Sequence, residues 1–363
     1  LFNFYEKSEM KKSLIALAVL AASGASFAQV SVTGNLTYGF QSQTTGGTSG
    51  AGSAAVSGFG AATARVIFTA KEDLGGGYAA TAVLSVNTAP GGAASTGDDH
   101  SLTLATPVGG LVMGTAKGAD YLSGGIAGVG AYYAGWDSAA GAQATAAAGS
   151  KLFTNRTQRD YVAFVIPVGA FTFSLSQHEG AGSVAFGTGS TGTDGGINGG
   201  STAPVTTLSA TYTAGPLVAN GQYAIYKNSQ SAGNAKDTER LAASYDLGVV
   251  KLGAGVVITN HDNTGFATLS PKTTDYLIGL KAPMGASSIG ATFGSRTQAD
   301  IIKLGQTGSY TATGYSLEYQ YAMSKRTSVI ANYARWTALP AQAVTPSERD
   351  ASSQYQVLLS HSF

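Results

Sequence analysis

Few residues of this chain could do chemistry, and their spacing argues against catalysis and metal binding. The four histidines, His100, His178, His261 and His361, are scattered and lack metal-ligand spacing, so they read as loop or interface residues. His178-Glu179 could serve a hydrolase, but no serine or aspartate constellation can be read beside it. The glycine-rich stretches 123–128 and 187–200 are followed by no Gly-Lys-Ser/Thr, and a lone Asp194 is too little for a calcium-binding repeat. There is no cysteine, hence no thiol chemistry and no disulfide staple. No metal, cofactor or catalytic residue is expected, and the chain is not read as an enzyme. What remains is fixed charge, carried by the Lys, Arg, Asp and Glu residues that make up 11% of the chain. Fixed charge across a narrow aqueous gap selects ions by sign through Coulomb interaction.

Charges of that kind need a wall to hold them, and the sequence supplies one with a two-residue period. Side chains alternate faces along a strand. Val66 and Phe68 alternate with Arg65, Ile67, Thr69 and Lys71. Leu241, Ala243 and Tyr245 alternate with Arg240, Ala242 and Ser244, and Tyr276, Ile278 and Leu280 with Asp275, Gly279 and Lys281. The same pattern runs through 30–40, 171–176 and 315–321. A soluble sandwich built from such strands would bury many unpaired charges at several kcal/mol each, so the polar face must be wet. The expectation is an all-β, transmembrane antiparallel barrel filled with water.

The connections define its size. Short Gly- and Pro-containing turns fall at 72–77, 107–110, 167–169, 214–217, 246–248, 282–285 and 322–327. Long Gly/Ser/Thr/Ala-rich loops are read at 41–58, 89–99, 118–155, 179–203, 228–237, 260–272, 297–311 and 339–352. Their alternation implies about sixteen strands with both ends on the short-turn side, as in outer-membrane barrels.

Both ends of the chain agree with export to such a membrane. Met10, Lys11 and Lys12 precede the apolar run Leu14 to Ala22 and the small-x-small site Ser26-Phe27-Ala28. This reads as a signal peptide over 10–28, with 1–9 as an upstream extension of the reading frame and 29–363 as the barrel domain. Without the leader the basic and acidic residues are equal in number, which gives no reason to expect a nucleic-acid partner. At the far end, Tyr355, Val357, Leu359 and Phe363 share one phase, and the sequence stops on an aromatic ring. Such a strand suits a lipid-facing surface with an aromatic girdle and is the candidate signal for the barrel-assembly machinery.

The chain resembles the Gram-negative general porins of the β-proteobacterial type. The residues that carry the likeness are Gln29-Val-Ser-Val-Thr-Gly-Asn-Leu-Thr-Tyr-Gly39, Ala64-Arg-Val-Ile-Phe-Thr-Ala-Lys-Glu-Asp-Leu-Gly-Gly-Gly77, Tyr321-Ala-Met-Ser-Lys-Arg-Thr327 and Phe363. The resemblance implies passive diffusion of small hydrophilic solutes and ions, a homotrimer in outer-membrane lipid and lipopolysaccharide, and a third loop folded inward. Arg65 matches a pore-lining arginine of the family, and Asn155-Arg156 matches a second motif, although Arg159-Asp160 follows where the family has Asn-Ser. A third family arginine is replaced by Met113-Gly-Thr115, with Lys117 as the candidate substitute. Loop 118–155 becomes the constriction loop, with Asp120 and Asp137 as its acidic members. Basic wall residues facing a weakly charged loop imply mild anion selectivity. A substrate-specific porin for sugars or carboxylates is the alternative, with Tyr132, Tyr133 and Trp136 as its hint of an aromatic track; an outer-membrane barrel enzyme is a weaker one.

Overall fold

The computed structural model describes residues 29–45, 54–87, 96–117, 122, 126–131, 158–179, 204–227, 235–261, 272–303, 306–337 and 351–363. They form sixteen strands: β1 (Gln29–Thr45), β2 (Ala54–Gly75), β3 (Tyr78–Asn87), β4 (Thr96–Thr106), β5 (Gly109–Lys117), β6 (Gln158–Val168), β7 (Phe171–His178) and β8 (Val205–Ala214), then β9 (Leu217–Tyr226), β10 (Ala235–Asp246), β11 (Lys251–His261), β12 (Lys272–Met284), β13 (Ser287–Lys303), β14 (Gln306–Ala322), β15 (Thr327–Trp336) and β16 (Ser352–Ser362). Each strand pairs with its neighbours in sequence, and β1 closes on β16. Every pairing is antiparallel, so the result is a closed up-and-down barrel with no free edge.

The barrel is inside out relative to a soluble protein. On β10, Leu241 is 64% exposed while its neighbour Arg240 is 9% exposed. On β12, Tyr276, Ile278 and Leu280 are exposed and Asp275, Leu277 and Gly279 are buried. Exposed apolar side chains recur on nearly every strand, far more than a soluble monomer shows. They form the lipid-facing band. Aromatic pairs sit on the same outer surface: Phe40 lies 5.3 Å from Phe59 and 6.1 Å from Tyr355, and Phe171 lies 4.9 Å from Tyr212.

The seven short turns fall where the sequence places them. The Glu72-Asp-Leu-Gly turn is closed by the Asp73 carboxylate, which accepts from the Gly75 amide at 2.9 Å. Gly75, Gly76 and Gly77 then take φ of 78°, 61° and 83°, a region that a side chain disfavours. In the Ser-Lys-Arg-Thr turn the Ser324 hydroxyl accepts from the amides of Arg326 and Thr327, both at 3.1 Å.

Several loops are shorter than expected. The stretch 297–311 is mostly strand, because β13 runs to Lys303 and β14 starts at Gln306. Likewise β1 continues to Thr45 and β2 begins at Ala54, inside the predicted loop 41–58. The ladder needs only backbone groups, so beyond the lipid band Ser, Thr, Ala and Gly extend it without the apolar alternation that marks a strand in sequence.

Closure is made at the terminus. The Gly34 amide donates to the Phe363 carbonyl at 2.9 Å, and the Phe363 amide donates back to Gly34 at 3.0 Å. The Phe363 ring lies directly over Gly34, where a Cβ would overlap it. Tyr355, Val357, Leu359 and Phe363 are all exposed on the outer phase of β16.

Candidate functional site

The inner face is polar and its charges are held in place. On one side of the lumen Arg65 leaves β2, its Nε donating to the Ser85 hydroxyl at 2.8 Å. Its Nη2 stands 3.6 Å from Asp99 Oδ2 on β4, and both side chains are 34% exposed, within reach of water and solutes. Tyr161 of β6 and His178 of β7 stack at 5.5 Å on the same wall, and the Ser176 hydroxyl lies 3.1 Å from His178 Nε2.

The opposite wall is more enclosed. Arg296 of β13 donates to Asp275 of β12 through Nε at 2.7 Å and Nη2 at 2.9 Å, a two-point pair. Its side chains are only 13% and 7% exposed. Toward the turn side, Lys281 stands 3.9 Å from Glu318 and donates to Gln320 at 3.3 Å. Arg240 donates to Asn220 at 3.2 Å, and Asn220 to the Thr211 hydroxyl at 2.9 Å.

Between these walls lies the connection from β5 to β6, the third long one. Its described residues, Leu122 and 126–131, are inside the barrel. Leu122 and Ala127 pack with Ala242, Val257, Leu277, Ala312, Ala334 and Trp336, apolar side chains on the inner phase of β10, β11, β12, β14 and β15. Leu277 is 1% exposed although its strand lines an aqueous lumen, because the loop covers it. Farther along, the Ser316 hydroxyl of β14 donates to the Ala131 carbonyl at 2.8 Å. The loop therefore crosses the β11–β14 wall and leaves Arg65 and Asp99 on the other side.

The expected site residues divide unevenly. Arg65 is on the lumen wall, as its phase predicts. Lys117 ends β5 in register with Gln158, on the backbone phase of Met113. Arg156, Asp120 and Asp137, and the aromatic residues Tyr132, Tyr133 and Trp136, lie outside the described residues. The histidines are strand residues, not loop residues: His178 and His261 end β7 and β11, His100 is in β4 and His361 in β16. His261 Nε2 sits 2.9 Å from the Thr273 hydroxyl, and His361 Nδ1 2.9 Å from that of Thr327. Asp99 was missed because 89–99 reads as a loop. The Asp275–Arg296 pair was missed although its signal exists: the two residues are equidistant from the Gly285-Ala286 turn, which fixes their pairing.

An apolar exterior, a charged wet interior and a loop folded into the bore define a channel-forming β-barrel of the membrane. The chain belongs to the Gram-negative porins, whose family model matches residues 14–338. It is a diffusion channel of the outer membrane. Among solved structures, the anion-selective porin from Comamonas acidovorans is 21% identical, with a TM-score of 0.63 over 92% of this chain and 100% of that one. Salmonella typhi OmpF, in a complex with daunomycin, is 13% identical, with a TM-score of 0.66 over 93% and 98%. The channel DcaP of Acinetobacter baumannii is 12% identical, with a TM-score of 0.63 over 93% and 98%. No curated protein matches the sequence significantly.

Proposed function

We propose that the protein is a general diffusion porin that passes small hydrophilic solutes and ions, prefers anions mildly, and works as a homotrimer. The observation that carries the reading is the half-exposed Arg65–Asp99 wall facing a loop seated on the far side of the bore. The wall groups are hydrogen-bonded to one another as lining, which suits passage and not catalysis. Arg156 on the basic side and Asp120 and Asp137 in the loop complete the proposed constriction. Residues 10–28 act as the export signal, 1–9 as an upstream extension, and the outer phase of β16 as the mark read by the assembly machinery.

Single-channel recording in a planar bilayer under a salt gradient tests this. Conductance steps in groups of three with a reversal potential on the anion side are expected. Folded protein that gives no steps overturns the reading. In the same assay Arg65→Gln should move the anion-to-cation permeability ratio toward cations by about two- to fivefold, the scale of the ~1 kcal/mol a unit charge exerts at about 4 Å in water. An unchanged ratio removes Arg65 from the constriction.

A further inference from the structure

Resting on the diffusion-channel reading, we propose that Gly253, Gly255, Gly279, Gly290 and Ser316 are positioning residues that set the bore by seating the inward loop. All five lie on the inner phase of β11–β14, along the path the loop takes. Gly253 pairs directly with Gly279, and Gly290 lies on the next strand. A Cβ on Gly279 would lie 3.0 Å from the Gly130 amide nitrogen, and one on Gly290 would lie 2.9 Å from that of Ala131. On Gly255 it would meet Leu122 Cδ1 at 2.7 Å, and on Gly253 it would overlap the Ala127 carbonyl oxygen. Three of these four obstacles are backbone atoms, which cannot swing aside as a side-chain tip does.

The contact is reciprocal. A Cβ on the loop residue Gly130 would overlap the Ala291 carbonyl and the Thr292 hydroxyl. Loop and wall thus meet backbone to backbone over a shallow track, with Ser316 fastening the far end at Ala131. Smallness is not a general property of these strands, since Leu252, Ile278, Leu280 and Ile289 on their outer phase are large. The glycines of β11, β12 and β13, by contrast, all fall on the inner phase that the loop crosses. A side chain added in the track must lift the loop toward the Arg65 wall or release it, and either outcome changes the bore.

The test combines single-channel conductance with the size of polyethylene glycol that no longer enters the channel. Gly279→Val and Gly290→Val, checked for heat-modifiable mobility, are expected to change conductance by about a third or more, since passage follows pore diameter. Gly60→Val, on an inner-phase glycine with open space above it, should leave conductance and exclusion limit as in the parent. Folded Gly279→Val channels with parental conductance and exclusion limit would overturn the proposal. A second measurement needs no conduction. The chain has no cysteine, so Ala131→Cys with Ser316→Cys introduces a single pair held close by the seat, which should be joined in the folded protein by oxidation or by a short bifunctional thiol reagent. A pair that neither treatment joins also overturns the seat. Disulfide formation in a protein that never conducts would sink the diffusion reading and leave the seat standing.

Discussion

Asp275→Ala is expected to destabilise the folded barrel by about 3–5 kcal/mol, the scale of removing one partner from a buried ion pair. The Arg296 guanidinium is only 13% exposed and directs both Nε and Nη2 to the Asp275 carboxylate. Without that carboxylate the cation stays where water reaches it poorly, on a wall half covered by the loop. The conservative Asp275→Asn keeps the shape and one acceptor, so it should lose less. Replacing both members with apolar residues, Asp275→Leu with Arg296→Met, should recover most of the loss, because the cost lies in leaving an enclosed cation without its carboxylate and not in the absent attraction. Barrels of this kind unfold slowly, so the readout is the rate at which the compact, heat-modifiable form disappears at fixed temperature. Equal rates for Asp275→Ala and the double variant would show that the pair carries no such penalty.

The second large effect is expected at the seam. Gly34→Val should cost about 1–3 kcal/mol through overpacking, because the new Cβ would fall onto the Phe363 ring and within 2.8 Å of the Arg65 carbonyl oxygen. Two backbone hydrogen bonds between Gly34 and Phe363 finish the ladder there, and a displaced terminus opens the one edge the barrel has just closed. Folding from urea into lipid vesicles should be slower and less complete for Gly34→Val. Phe363→Ala keeps both backbone bonds and loses only the ring, so Gly34→Val combined with Phe363→Ala should fold better than Gly34→Val alone. No gain in the double variant would place the damage at the Arg65 carbonyl instead of at the ring.

The parts of the fold that touch lipid were legible in the sequence, and the parts that touch the loop were not. A lipid-facing phase must be apolar whatever surrounds it, so Leu241, Tyr276 and Ile278 declare their face by type alone. The inner phase has no such rule. Leu277 breaks the polar pattern of β12 for a reason that lies in a segment about 150 residues earlier in the sequence. Gly253, Gly279 and Gly290 look like ordinary glycines of a glycine-rich chain until the loop is laid across them. Charge behaved in the same way. Arg65 could be placed from its phase, whereas its carboxylate neighbour Asp99 stood in a stretch whose composition suggested a loop. The turns were legible because Asp73 and Ser324 hold them locally, without help from any distant strand.

Because β1 lies beside β16 in an unbroken ring of next-neighbour pairings, the barrel has a cyclic order but no intrinsic first strand. Joining residues 29 and 363 by a short linker and cutting the chain at the Gly215-Pro216 turn would keep every ladder in register. A permuted chain of that kind would fold to the same cylinder while its last strand became β8. The seam, where the Phe363 ring lies against Gly34, would then carry a peptide link. Whether a cell still inserts such a chain would separate what the cylinder needs to be stable from what the cell needs to recognise it.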